Sequence, residues 1–136
     1  MIKFKTSKQQ SEWESGNVDL RLVYIIQWMQ RYLEMVYPNY NITITDVYRS
    51  QEEQDNIYLN SDDPELVKKY KKKPWKSVHQ YWRGVDIRTT DMRGKMAYRI
   101  SNLLAQIPYD ENRPQKKTAI FHNVGTGQHC HIQVKP

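Results

Sequence analysis

A chain of 136 residues with a formal net charge of +6 has room for one domain with its own core and not for two of ordinary size. Its single cysteine, Cys130, excludes an internal disulfide framework, and no apolar run is long enough to span a bilayer. The positive balance favours a polyanionic partner, either nucleic acid or the anionic polymers of a cell wall, and does not choose between them.

Residues 1–16 are polar, with no apolar stretch after the lysines, so no secretory signal is expected. Synthesis in the cytoplasm, with delivery by another agent, is the corollary for any substrate outside the membrane. Residues 18–36 place Leu22, Ile25, Ile26, Met29, Tyr32, Leu33 and Val36 at three- and four-residue steps, which predicts an amphipathic helix with Asn17 as its N-cap and Pro38 beyond its end. Residues 41–48 alternate Ile42, Ile44 and Asp46 against Thr43, Thr45 and Val47, and predict a strand. Ser50 and Glu53 have capping-box spacing, so a short helix is expected directly after Arg49. Asp63, Pro64 and Glu65 repeat the start signal for a brief helix that runs into KKYKKKPWK, residues 68–76, which reads as a binding patch or as a solvated loop.

In GVDIR, residues 84–88, Val85 and Ile87 share one strand face and Asp86 points to the other. A second long helix is expected over 91–107, capped by Thr90 or Asp91, packing through Met96, Ile100, Leu103, Leu104 and Ile107, weakened early by Gly94 and stopped by Pro108. The end of the chain has two β-rich runs around the glycines of GTG and predicts a hairpin. These elements make an α+β domain spanning residues 1–136, a small antiparallel sheet packed with helices, and a monomer is expected.

The last strand projects His129, His131 and Gln133 from one face and Cys130, Ile132 and Val134 from the other. Alternate strand residues lie roughly 6.5 Å apart, so two imidazoles can serve one site as two ligands, or as a ligand and a proton carrier; a solvated pair is the alternative. His79 lies just before the GVDIR strand and Asp86 within it, a span that a loop can fold back onto one ion. With His131 they make the three protein ligands typical of catalytic zinc. Taken singly, His79 also reads as a loop histidine and Asp86 as the ion-pair partner of Arg83 or Arg88.

Ser77, His79 and Asp86 match the offsets of the motif SxHxxGxAxD, with Trp82 at its glycine and Gly84 at its alanine; HxH follows at His129 and His131, with Gln128 at an otherwise acidic position, and Tyr48, Arg49 and Ser50 match a YRS-like turn after a strand. In these marks and their order, over residues 48–131, the chain resembles the zinc D-alanyl-D-alanine carboxypeptidases, L-alanyl-D-glutamate peptidases and murein endopeptidases, phage endolysins among them, and within that family the HxH branch. The resemblance implies the fold of those enzymes, Zn2+ held by His79, Asp86 and His131, and hydrolysis of peptidoglycan stem or cross-link peptides as carboxypeptidase or endopeptidase. It implies His129 as the acid-base residue, with Glu52, Glu53 and Asp46 as alternatives. Arg49 would face a substrate carboxylate or the developing oxyanion, Ser77 would bind substrate or brace its loop, and Trp82, with Trp75 and Tyr81, would line a cleft or pack in the core. His122 matches no motif and reads as structural, and Cys130 as a packed thiol. Action on the wall, in phage lysis or from a virion, follows from the same resemblance. Two other readings stand beside it: a nucleic-acid-binding module using residues 68–76, and a metal-free relative that only binds wall peptides.

Overall fold

The longest run of apolar side chains at helical spacing does form a helix, α2 (Leu20–Val36), and it buries Leu22, Ile26, Met29 and Leu33. Its cap is Asp19 rather than Asn17: Asp19 Oδ1 accepts from Arg21 N at 3.0 Å, because the chain turns into the helix two residues later than the periodicity implied. The computed structural model describes residues 1–123 and 128–136, with backbone only for His122 and Asn123.

Before α2 come a two-residue strand, β1 (Lys3–Phe4), and a helix, α1 (Ser7–Glu14), closed at its start by a Thr6–Gln9 capping box. Next are β2 (Thr43–Asp46), α3 (Gln51–Leu59) and α4 (Pro64–Lys72), the last two capped by Ser50 with Glu53 and by Asp63 as expected. A 3-10 turn (Val78–Tyr81) leads into β3 (Gly84–Arg88), followed by α5 (Met96–Ala105), β4 (Ala119–Asn123) and β5 (Gln128–Gln133). The helix expected over 91–107 therefore starts five residues late, after Lys95 rather than Thr90 or Asp91, and ends two residues early, at Ala105. Gly94 sits at φ 58°, a left-handed conformation that a helix cannot run through, and residues 89–95 form turns instead.

The fold is α+β. The sheet runs β1-β2-β3-β5-β4, antiparallel throughout except where β1 joins β2 in parallel. That parallel edge is the departure from a wholly antiparallel sheet. α2 and α5 cover one face, where Ile44, Val85, Ile87, Cys130 and Ile132 join Ile26, Met29, Ile100 and Leu104 in one buried cluster. Buried Gln30 ties α2 to the sheet, donating to Tyr40 O at 3.0 Å and accepting from Ile42 N at 2.7 Å. The pairing of β2 with β3 shifts between Ile44 and Asp46, so the strict alternation expected over 41–48 breaks and Val47 turns into the core. The hairpin of β4 and β5 is formed as expected; the GTG turn within 124–127 and the side chain of His122 lie outside the described residues. Among the described residues no helix is long and apolar enough to cross a membrane.

Candidate metal centre

On the sheet face away from α2 and α5, strand register brings the ligand candidates together. Asp86 on β3 is the direct partner of His131 on β5, and opposite residues of an antiparallel pair share a face. His79 arrives from the 3-10 turn that precedes β3. Ser77 is the cap of that turn: its Oγ accepts from His79 N at 3.2 Å, while Gln80 Oε1 accepts from Ser77 N at 3.0 Å. Of the two roles open to Ser77, bracing is the one seen. The ligand atoms of His79, Asp86 and His131 all lie within 4.8 Å of one another.

Asp86 is paired with imidazoles rather than with Arg83 or Arg88. Its Oδ1 lies 2.8 Å from His131 Nδ1 and 3.3 Å from His79 Nε2, and its Oδ2 lies 3.6 Å from His129 Nε2. Burial works against ionising the Asp86 carboxyl, but attraction to His79 and hydrogen bonds from His131 and His79 outweigh it and hold the group well below the usual carboxylate range. Burial likewise works against a charged His79, and there too the carboxylate of Asp86, with Asp46 behind it, prevails and raises the imidazole.

Whether a metal fits can be decided from the far side of each ring. His79 Nδ1 lies 3.0 Å from the carbonyl of Val47, which can only accept, so Nδ1 carries the proton and Nε2 faces Asp86. His131 Nε2 lies 3.2 Å from Gln133 Oε1. The amide of Gln133 is oriented by its nitrogen, which donates to Lys117 O at 2.8 Å, so its oxygen accepts from His131 Nε2–H and Nδ1 faces Asp86. A neutral ring in either place turns a bare lone pair toward a carboxylate. The two rings meet edge-on, with centroids 5.1 Å apart. A divalent cation held there would have His79 Nε2, Asp86 and His131 Nδ1 as its ligands, with Val47 O and Gln133 as their outer supports. The three residues could hold a metal ion.

Val47 O and Gln133 were invisible as site residues in the sequence; alternation put Gln133 on the same face as His131, which was the only available signal. Gln133→Leu removes the acceptor for His131 Nε2–H, and the affinity for a divalent metal is expected to fall about 10- to 100-fold in a competition titration against a chromophoric chelator.

Arg49 is 9% exposed, which sets it apart from an ordinary surface arginine. Its Nη2 donates to Asp46 Oδ2 at 2.6 Å, its Nη1 to Gln54 Oε1 at 2.9 Å, and its backbone N–H to His79 O at 3.4 Å. It thus braces the turn that carries His79, and its charge opposes protonation of that imidazole. Trp82 closes the same turn at φ 60°, the left-handed conformation that favours glycine. Its ring stacks on Tyr48 at 4.4 Å and packs against the core cluster. Trp75 packs with Tyr58 and Tyr70, and Tyr81 is exposed beneath the guanidinium of Arg83. Cys130 is buried on the core face, and burial, with the Asp86 charge, pushes its thiol far up, so it is a packed thiol.

Gly84 is needed for close approach. A Cβ there would stand 2.5 Å from Val78 Cγ2 and 3.1 Å from His131 Cε1. Gly84→Ala must push apart the turn holding His79 and the strand holding His131, so a loss of about 1–3 kcal/mol in chemical denaturation is expected, with weaker metal binding.

No family model, curated protein or solved structure matches the chain.

Proposed function

We propose that the protein is a zinc peptidase that hydrolyses peptidoglycan stem or cross-link peptides, with His79, Asp86 and His131 as the metal ligands. The observation that carries this reading is the pair of imidazoles whose outer nitrogens are committed to acceptors while their inner nitrogens converge on one buried carboxylate. The spacing of Ser77, His79 and Asp86, the HxH of β5 and the Tyr48-Arg49-Ser50 turn supply the substrate class by resemblance.

Zinc bound there would lower the pKa of its water toward neutrality and polarise the scissile carbonyl. His129, beside the ligands with Nε2 3.6 Å from Asp86 Oδ2, takes the proton released during attack and returns it to the departing amine. Gln128 at the neighbouring position has no titrating group. Arg49, held by Asp46 and Gln54, supplies a fixed positive charge beside the site, toward a substrate carboxylate or the oxyanion. Ser77 keeps His79 in place, and Trp82 with Tyr48 forms a rigid apolar shoulder at the turn.

The test is digestion of purified cell wall followed by mass analysis of soluble fragments. Fragments ended by new amines and carboxylates at peptide bonds, and abolished by a chelator, are expected. Absence of any new peptide terminus at micromolar enzyme would refute the assignment.

A further inference from the structure

The lysine segment 68–76 is ordered around an aromatic anchor and is no loose loop for most of its length: α4 includes it up to Lys72. Tyr70 is 1% exposed, stacks on Tyr58 at 5.1 Å and meets Trp75 edge-on at 4.8 Å, while Tyr58 meets Trp75 at 4.8 Å. Tyr70 Oη also donates to Asp55 at 2.5 Å. This anchor fixes which way the rest of the segment points, and Lys68, Lys69, Lys71, Lys72, Lys73 and Lys76 are all exposed. Among the described residues the lysine ion pairs are those of Lys8, so none of these six has an acidic partner within bridging distance.

Three lysines in the last turn of α4 suit the negative end of a helix, and that accounts for Lys69, Lys71 and Lys72 as ordinary stabilising charges. It does not account for Lys73 and Lys76, which lie beyond the helix. Lys76 donates to Gln51 Oε1, which also accepts from Gln80, and Lys76 immediately precedes Ser77, the cap of the turn bearing His79. The basic surface thus runs up to the edge of the metal centre. Its interleaved rings are engaged with one another and cannot serve as stacking platforms for bases, so what the surface offers a polymer is charge alone.

We propose that α4 and the segment to Lys76 are a docking surface for a phosphodiester polyanion of the cell wall, which holds the metal centre against the peptides beside it. This rests on the peptidase reading above. Neutralising about five phosphates gives a steep salt dependence, so binding is expected to weaken about 100-fold between 50 and 200 mM salt.

The experiment is co-sedimentation of the full chain with purified walls, with the same walls stripped of phosphate polymers, and with walls in the presence of a random-sequence DNA duplex. The variant carries Lys68→Glu, Lys72→Glu and Lys73→Glu, and both proteins are assayed on a soluble wall peptide. Expected are at least about tenfold weaker sedimentation for the variant or with stripped walls, and unchanged cleavage of the soluble peptide. Variant binding equal to wild type, undiminished binding to stripped walls, or tighter binding to the duplex than to walls would each overturn the docking proposal. Lysine-dependent sedimentation without cleavage of the soluble peptide would support the surface and reject the peptidase.

Discussion

Asp86→Asn and His131→Ala are each expected to weaken zinc binding by roughly 3 kcal/mol, about 100-fold, and to abolish hydrolysis of wall peptides. The figure follows from sharing the binding free energy of a four-ligand zinc site equally among its ligands. Asparagine preserves the shape of Asp86 but removes the charge on which His79, His129 and His131 converge. His131→Ala removes the Nδ1 donor and strands Gln133 Oε1 without its partner. His129→Gln is the informative companion. If His129 carries the proton, this variant keeps its metal while turnover falls about 10²- to 10⁴-fold. Inductively coupled plasma analysis alongside peptide hydrolysis separates the two outcomes, and a His131→Ala protein that still cleaves would reject the assignment of ligands.

The second large effect is on stability. Removing the metal should lower the melting temperature by about 10 °C or more, since a ligand held at 1,000 times its dissociation constant contributes about 4 kcal/mol to the folded state. The reason is local: a cation on His79, Asp86 and His131 would clamp the 3-10 turn, β3 and β5 through one point, where one buried carboxylate meets three imidazoles. Readdition of zinc should restore the transition. In Asp86→Asn the chelator should shift it far less, because there is little bound metal to remove. Calorimetric scans with and without chelator measure both.

Much of the site was legible because its chemistry is local. The HxH face and the opposed faces of GVDIR follow from strand alternation, and the starts of α3 and α4 follow from capping side chains three residues from their partners. What escaped depends on contacts distant in sequence. β1 exists because Lys3 N and Lys5 N donate to Ile42 O and Ile44 O, pairings that nothing in a polar N-terminal segment announces. The bulge that sends Val47 into the core also places its carbonyl against His79, so the tautomer of that ligand is set 32 residues away. The short α5 shows the opposite failure: hydrophobic spacing held from Met96 to Ala105, Gly94 overrode it before that point, and Ile107 lies beyond the helix end. Trp82 shows how the turn tolerates a side chain in a left-handed conformation, through stacking on Tyr48 that offsets backbone strain of about 1–2 kcal/mol.

The measurement closest to the central claim is a zinc-edge X-ray absorption spectrum of the metal-loaded protein, read with its metal content. One zinc per chain is expected, in a shell of nitrogen and oxygen at about 2.0–2.2 Å that includes two imidazoles and no sulfur. Substoichiometric zinc, a sulfur shell, or a shell without imidazole scattering would mean that His79, Asp86 and His131 do not share an ion.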